Sequence, residues 1–191
     1  MTIIRLTMSS LLFILMMSCT SNNDIDISKY PIITTVAELS EFYDLNLDTT
    51  GQYEQSTITK YFDGSLALEY SYDLLESDTF DPLFYSITVE QERTPRDARE
   101  VFILGKNALN IVGNSFGQGT IKIDSLDLPG DDTYYALRTY DGQPNGMFYI
   151  VRKGARVYTM MASGIYTTDH SIVYDIIIPK IEDLETYNIT K

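Results

Sequence analysis

Residues 146–163 read GMFYIVRKGARVYTMMAS. Two apolar runs, Met147-Phe148-Tyr149-Ile150-Val151 and Val157-Tyr158-Thr159-Met160-Met161-Ala162, flank the turn residues Lys153-Gly154. A strand with one wet face alternates apolar and polar side chains, because successive residues point to opposite sides. Neither run alternates in that way, so both sides of the sheet must be kept from water there. Helices are therefore expected on both faces. The predicted fold class is α+β: a three-layer α/β/α sandwich with a central antiparallel sheet.

Working outward, strands are predicted at 120–126 and 133–141, with turns at Leu128-Pro129-Gly130-Asp131 and at Gly142-Gln143-Pro144-Asn145-Gly146. Upstream, Thr57–Phe62 and Ser65–Asp73 flank Asp63-Gly64. An Asp-Gly pair between alternating runs predicts a hairpin with a type I′ turn, which needs positive φ at both central residues. In the second of these strands Leu66, Leu68, Tyr70 and Tyr72 share one face and Glu69, Ser71 and Asp73 the other, so one side alone is buried. A further strand at 84–92 turns Tyr85, Ile87 and Val89 inward. The clearest helix is capped by Thr94, opened by Pro95 and ended near Gly113, with Ala98, Val101, Phe102, Gly105, Ala108, Leu109 and Val112 on one face. A short helix is predicted over Val36–Tyr43, capped by Thr34 or Thr35. A third runs from Asp169 to about Glu185, broken near residue 178 by Pro179 and a β-branched run.

From Phe84 to Tyr187 the order of strand, long helix, meander and Asp-capped helix resembles the PsbP-like family, most plainly in GMFYIVRKGARVYTMMASGIYTTDHSIVYDIIIPKIEDLE. The likeness covers a little over half of the chain and is one of pattern. It implies an α/β/α sandwich with an antiparallel sheet. Members of that family include the lumenal extrinsic subunit of photosystem II, MOG-type Ran-binding proteins and bacterial lipoproteins. The resemblance maps no functional residue onto this chain and implies a non-catalytic accessory or binding domain.

With 191 residues the chain suits one domain. Its formal net charge of -13 repels phosphate backbones, which argues against a nucleic-acid partner. Fifteen Tyr with no Trp suit half-buried sheet positions.

At the N-terminus Arg5 precedes the apolar core Leu11–Met17, followed by Ser18 and Cys19, the order of an export signal. That core is too short for a bilayer span, which needs about 20 residues. The stretch Met16-Met17-Ser18-Cys19 resembles the lipobox of bacterial lipoproteins, with Met16 where Leu is commonest. The resemblance implies cleavage after residue 18 and lipidation of Cys19, with acyl chains of the palmitate kind. One chain anchors only marginally, so stable attachment takes a multiply acylated residue. Cys19 is the single cysteine, which excludes an internal disulfide. The expected organisation is a signal peptide over 1–18, a flexible polar tether over 19–31 and a single PsbP-like domain over 32–191. Thr20 in place of Asp resembles lipoproteins passed to the outer membrane, on its periplasmic or its surface side.

Three constellations bear on chemistry. Gly113-Asn114-Ser115-Phe116-Gly117 satisfies the GxSxG pattern, and His170 lies downstream with acids between, so a serine hydrolase using Ser115 and His170 is the alternative reading. Its context is wrong, since an elbow leaves a strand and enters a helix whereas this stretch leaves a helix and enters a strand. His170 is the only histidine, which excludes the usual His and Cys zinc sites. Asp124, Asp127, Asp131 and Asp132 surround Pro129-Gly130 and supply oxygen ligands for a hard cation, or form a solvated acidic turn. No cofactor is implied. The preferred function is a lipid-anchored envelope module that binds a protein or small ligand, with the membrane as partner through lipidated Cys19.

Overall fold

The computed structural model describes residues 18–23, 25–43, 47–48, 50–74, 83–113, 118–124 and 126–190. The expected signal segment, apart from Ser18, lies outside them, as does Ser115. Among the described residues the fold is α+β, built on one eight-stranded sheet. Its strands are β1 (Ser18–Asn23), β2 (Glu54–Tyr61), β3 (Leu66–Leu74), β4 (Leu83–Gln91), β5 (Gln118–Lys122), β6 (Asp132–Tyr140), β7 (Gln143–Lys153) and β8 (Arg156–Ser163). They lie in the order β1-β2-β3-β4-β8-β7-β6-β5, every neighbouring pair antiparallel. The helices are α1 (Val36–Tyr43), α2 (Pro95–Gly113) and, after a π-helical turn at Ile172–Ile177, α3 (Ile178–Lys180).

The two faces carry separate cores. One is rich in tyrosine: Tyr70, Tyr72, Tyr85, Tyr135, Tyr149 and Tyr158 are buried there with Ile58, Leu68, Ile87, Val89 and Met160. Val36 and Leu39 of α1 and Ile172, Val173, Ile176 and Ile177 of the C-terminal turn close over it. The opposite core is smaller: Ala98 and Phe102 of α2 pack on Tyr134, Ala136, Ile150 and Val157. In β7 and β8 neighbouring residues thus serve different cores, Tyr149 one and Ile150 the other, as the unbroken apolar runs require.

Polar bonds fix the helices. Thr35 Oγ1 accepts from Glu38 N at 3.3 Å while Glu38 Oε2 accepts from Thr35 N at 2.7 Å, a reciprocal cap that starts α1. The Tyr70 hydroxyl accepts from Val36 N at 2.9 Å and donates to Glu54 Oε2 at 2.7 Å, tying α1 to the sheet. Lys180 Nζ donates to Ile33 O and to Glu38 Oε1, joining α3 to the segment that enters α1. Thr94 caps α2 by accepting from Asp97 N at 3.2 Å.

Three local expectations change. The polar run expected as a tether supplies β1, whose backbone pairs with β2 from Ser18↔Tyr61 to Asn23↔Thr57. An edge strand offers unpaired N–H and C=O groups to any extended segment, whatever its side chains, so polarity alone did not reveal this strand. Farther along the same run, Tyr30 is buried and its hydroxyl donates to Thr190 O at 2.7 Å. The Asp63-Gly64 turn has positive φ at Gly64 only, with Tyr61 N bonded to Ser65 O, so it is a longer loop in which Asp63 accepts from Ser65. The two-residue turn with both φ positive is Asp141-Gly142, at 48° and 76°, and β7 begins directly after it at Gln143. The C-terminal helix is broken near residue 178 as expected, and the widened turn before Pro179 accommodates a ring that an α-helix would exclude. Gly146 is also required, because a Cβ there would overlap the Ala162 carbonyl oxygen.

The hydroxyls of Tyr85 and Tyr158 lie toward Thr34 Oγ1, yet all three are buried without a hydrogen-bond partner among the described residues. Removing an unpaired buried hydroxyl is close to neutral or stabilising, whereas removing a paired one strands its partners. Tyr158→Phe should therefore leave the denaturation midpoint unchanged or raise it, and Tyr70→Phe should destabilise by about 1–2 kcal/mol. Urea titration of both variants checks the contrast.

Candidate functional site

The sheet face under α2 is divided. Register runs one row across it from Thr57 through Glu69, Thr88 and Thr159 to Ile150 and Tyr134. The apolar end lies beneath α2, while the polar end on β2, β3 and β4 extends beyond the helix. Where the two halves meet, a groove of about 460 Å³ runs along α2. Its floor is Glu69, Thr88, Glu90 and Thr159, and its wall is Val101, Leu104, Gly105 and Ala108. Gly105 keeps that wall low, and Leu104 is 68% exposed at its lip.

Glu90 is the chemically distinctive group in the groove. Strand pairing sets it between Ala67 and Val157, both fully buried. That position strips water from its carboxyl, and the charges of Glu92 and Glu69 oppose ionisation further, so its pKa is pushed up to about 7. No hydrogen bond or ion pair among the described residues reaches it. The cation nearest in the same register row, Arg152, is committed elsewhere: Nε donates to Asp132 Oδ2 at 2.6 Å and Nη1 to Asp131 Oδ2 at 2.9 Å. A carboxyl poised between its two states beside an apolar wall can accept a hydrogen bond from a cation, or donate one when protonated.

The residues singled out from the sequence fall apart in space. Asp131 and Asp132 serve Arg152, and Asp131 Oδ2 also accepts from Gly154 N at 2.8 Å, so both act as fasteners of the β7–β8 turn. Asp124 pairs with Lys122, and Asp127 is exposed. Among the described residues no three His, Cys, Asp or Glu side chains are placed to hold a metal ion. His170 is half-buried with positive φ, its ring edge-on to Tyr135 at 5.3 Å and its Nδ1 3.0 Å from the Tyr135 hydroxyl. The hydroxyl donates to Nδ1 when the proton sits on Nε2. Asp169, its sequence neighbour, instead accepts from Ser171 N and Oγ. Cys19 lies in β1, at the irregularity between Ser18 and Thr20.

A second cavity of about 600 Å³ opens between α1 and α3, lined by Glu38, Glu41, Phe42, Asp175, Pro179 and Lys180 among others. Its Lys180 and Glu38 already neutralise each other at 2.6 Å. The groove under α2 is the better ligand site because its carboxyl lacks such a partner.

In comparisons with known proteins the chain matches no family model, no curated protein and no solved structure.

Glu90 has a testable linkage. Its folded pKa lies above the ordinary glutamate value of 4.5, so the folded state holds the proton longer than the unfolded chain does. Its contribution is complete below about pH 4.5 and is lost as pH rises through about 7, amounting to no more than about 3 kcal/mol. Unfolding free energy measured from pH 5 to 8 should fall in the wild type, and fall less in Glu90→Gln. Equal slopes would show that Glu90 does not titrate in this way.

Proposed function

We propose that this protein is a lipid-anchored domain of the bacterial envelope, held at the outer membrane through acylated Cys19 and acting as a non-catalytic binding or accessory module. The observation that carries the binding role is the groove under α2, where Glu90 faces an apolar wall without a counter-ion among the described residues. Such a site suits a positively charged group on an apolar stem, such as a lysine or arginine presented by a partner protein. The covering of β7 and β8 from both sides supports reading the α+β fold as a three-layer α/β/α sandwich of the PsbP-like kind. The lipobox-like Met16-Met17-Ser18-Cys19 supports the anchor. The hydrolase alternative gains no support, since His170 is engaged with Tyr135 and Ser115 lies outside the described residues.

Two readouts test the proposal in cells. Cys19→Ser should move the protein from the membrane fraction to the soluble fraction and abolish acyl labelling. A photo-reactive phenylalanine analogue at Leu104 should give a discrete cross-linked partner, and that adduct should weaken about tenfold or more in Glu90→Lys, the scale of a lost charge-assisted contact. Cross-linking from Leu104 no stronger than from Ile121, on the far edge strand, would sink the groove as the binding surface.

A further inference from the structure

The hairpin joining β2 to β3 ends in Phe62, which is 79% exposed, with Tyr61 beside it at 38%. An aromatic pair this open at the tip of a tight loop adds nothing to the core. Its position in the fold suggests a use. Strand β1 pairs Thr20 with Lys60, so Cys19, at the irregularity just before it, lies against the base of that tip. Strands in a sheet stand about 4.8 Å apart, which puts residue 19 and the hairpin tip at the same corner of the domain.

We propose that the β2–β3 hairpin tip is a second membrane contact: Phe62, flanked by Tyr61, seats in the interface of a zwitterionic bilayer beside the acyl chains of Cys19. The inference rests on the lipid anchor proposed above and deepens it. With residues 20–23 paired into the sheet, little slack chain separates the anchor from the fold, so the corner bearing the tip is held at the bilayer surface. Aromatic rings favour that depth, where the ring lies among acyl chains and polar groups meet headgroups. The acids around the tip, which outnumber its cations Lys60 and Arg93, decide the lipid class. Burial and then the charges of Glu69, Glu90, Glu92 and Asp63 push the Tyr61 phenol up, which places those carboxylates close to it. Anionic headgroups would be repelled there, whereas zwitterionic ones present an ammonium group.

The chain has no tryptophan, so Phe62→Trp creates a single fluorescent reporter at an exposed position. The full-length variant, processed and acylated by its host, is reconstituted into phosphatidylethanolamine–phosphatidylcholine vesicles containing lipids brominated near the headgroup. Ile121→Trp is the control, because β5 lies at the opposite sheet edge, six strand spacings or about 29 Å from β2. The expected result is blue-shifted, bromine-quenched emission from Phe62→Trp and neither effect from Ile121→Trp. Unquenched emission from Phe62→Trp overturns the proposal when mass spectrometry shows acylated Cys19 and the protein floats with the vesicles, since the anchor then stands while the tip stays in water. A blue shift without quenching also overturns it, because protein rather than lipid then covers the ring. Protein that carries no acyl group and does not float overturns the anchor reading itself, and the hairpin contact with it.

Discussion

Strands β7 and β8 present apolar side chains to both sides of the sheet, so both faces must be kept from water, and the placing of the helices follows from that constraint. Tyr149, Tyr158 and Met160 need a cover on one face, Ile150 and Val157 on the other. Helix α2 has a narrow apolar stripe and closes the smaller core alone. The larger core takes α1, the π-helical turn and α3 together, bound to one another by Lys180 and to the sheet by Tyr70. The outer strands β2, β3 and β4 are apolar mainly on the tyrosine side. Their other side carries Thr57, Glu69, Thr88 and Glu90, and there α2 leaves the sheet uncovered.

The groove is a consequence of that mismatch between a sheet eight strands wide and one helix. A polar floor beginning where an apolar one ends leaves a carboxyl at the boundary, too covered to ionise freely and too far along the row for Arg152 to reach while Asp131 and Asp132 hold it. Two of the acids that read in sequence as a cation-binding loop, Asp131 and Asp132, instead hold Arg152 at the β7–β8 turn.

The edge strand changes the view of the anchor. A polar segment of low apolar content reads as a spacer, yet backbone pairing asks only for an extended chain beside an unpaired edge. Drawing residues 18–23 into the sheet brings Cys19 to the hairpin that carries Phe62. Two features far apart in the chain, one a sequence motif and the other an exposed ring, become neighbours through that pairing.

Alternation and turn chemistry are local, and they were legible. The two-sided burial of 147–151 and 157–162, the one-sided burial of Leu68, Tyr70 and Tyr72, the caps and the break before Pro179 all follow from side chains a few residues apart. The choice between Asp63-Gly64 and Asp141-Gly142 as the type I′ turn was not, because identical dipeptides adopt the φ values that their flanking strands impose. Glu90 was visible only as an outward-facing residue of a strand. Its proximity to Glu69, its cover by α2 and the loss of Arg152 to a distant pair of aspartates depend on contacts between segments tens of residues apart. Composition and periodicity determined that this chain builds an α+β fold on an antiparallel sheet whose strands β7 and β8 are apolar on both faces. Tertiary structure alone decided where the carboxyl loses its water and which corner carries the cysteine, because desolvation and strand register are properties of neighbours in space rather than in sequence.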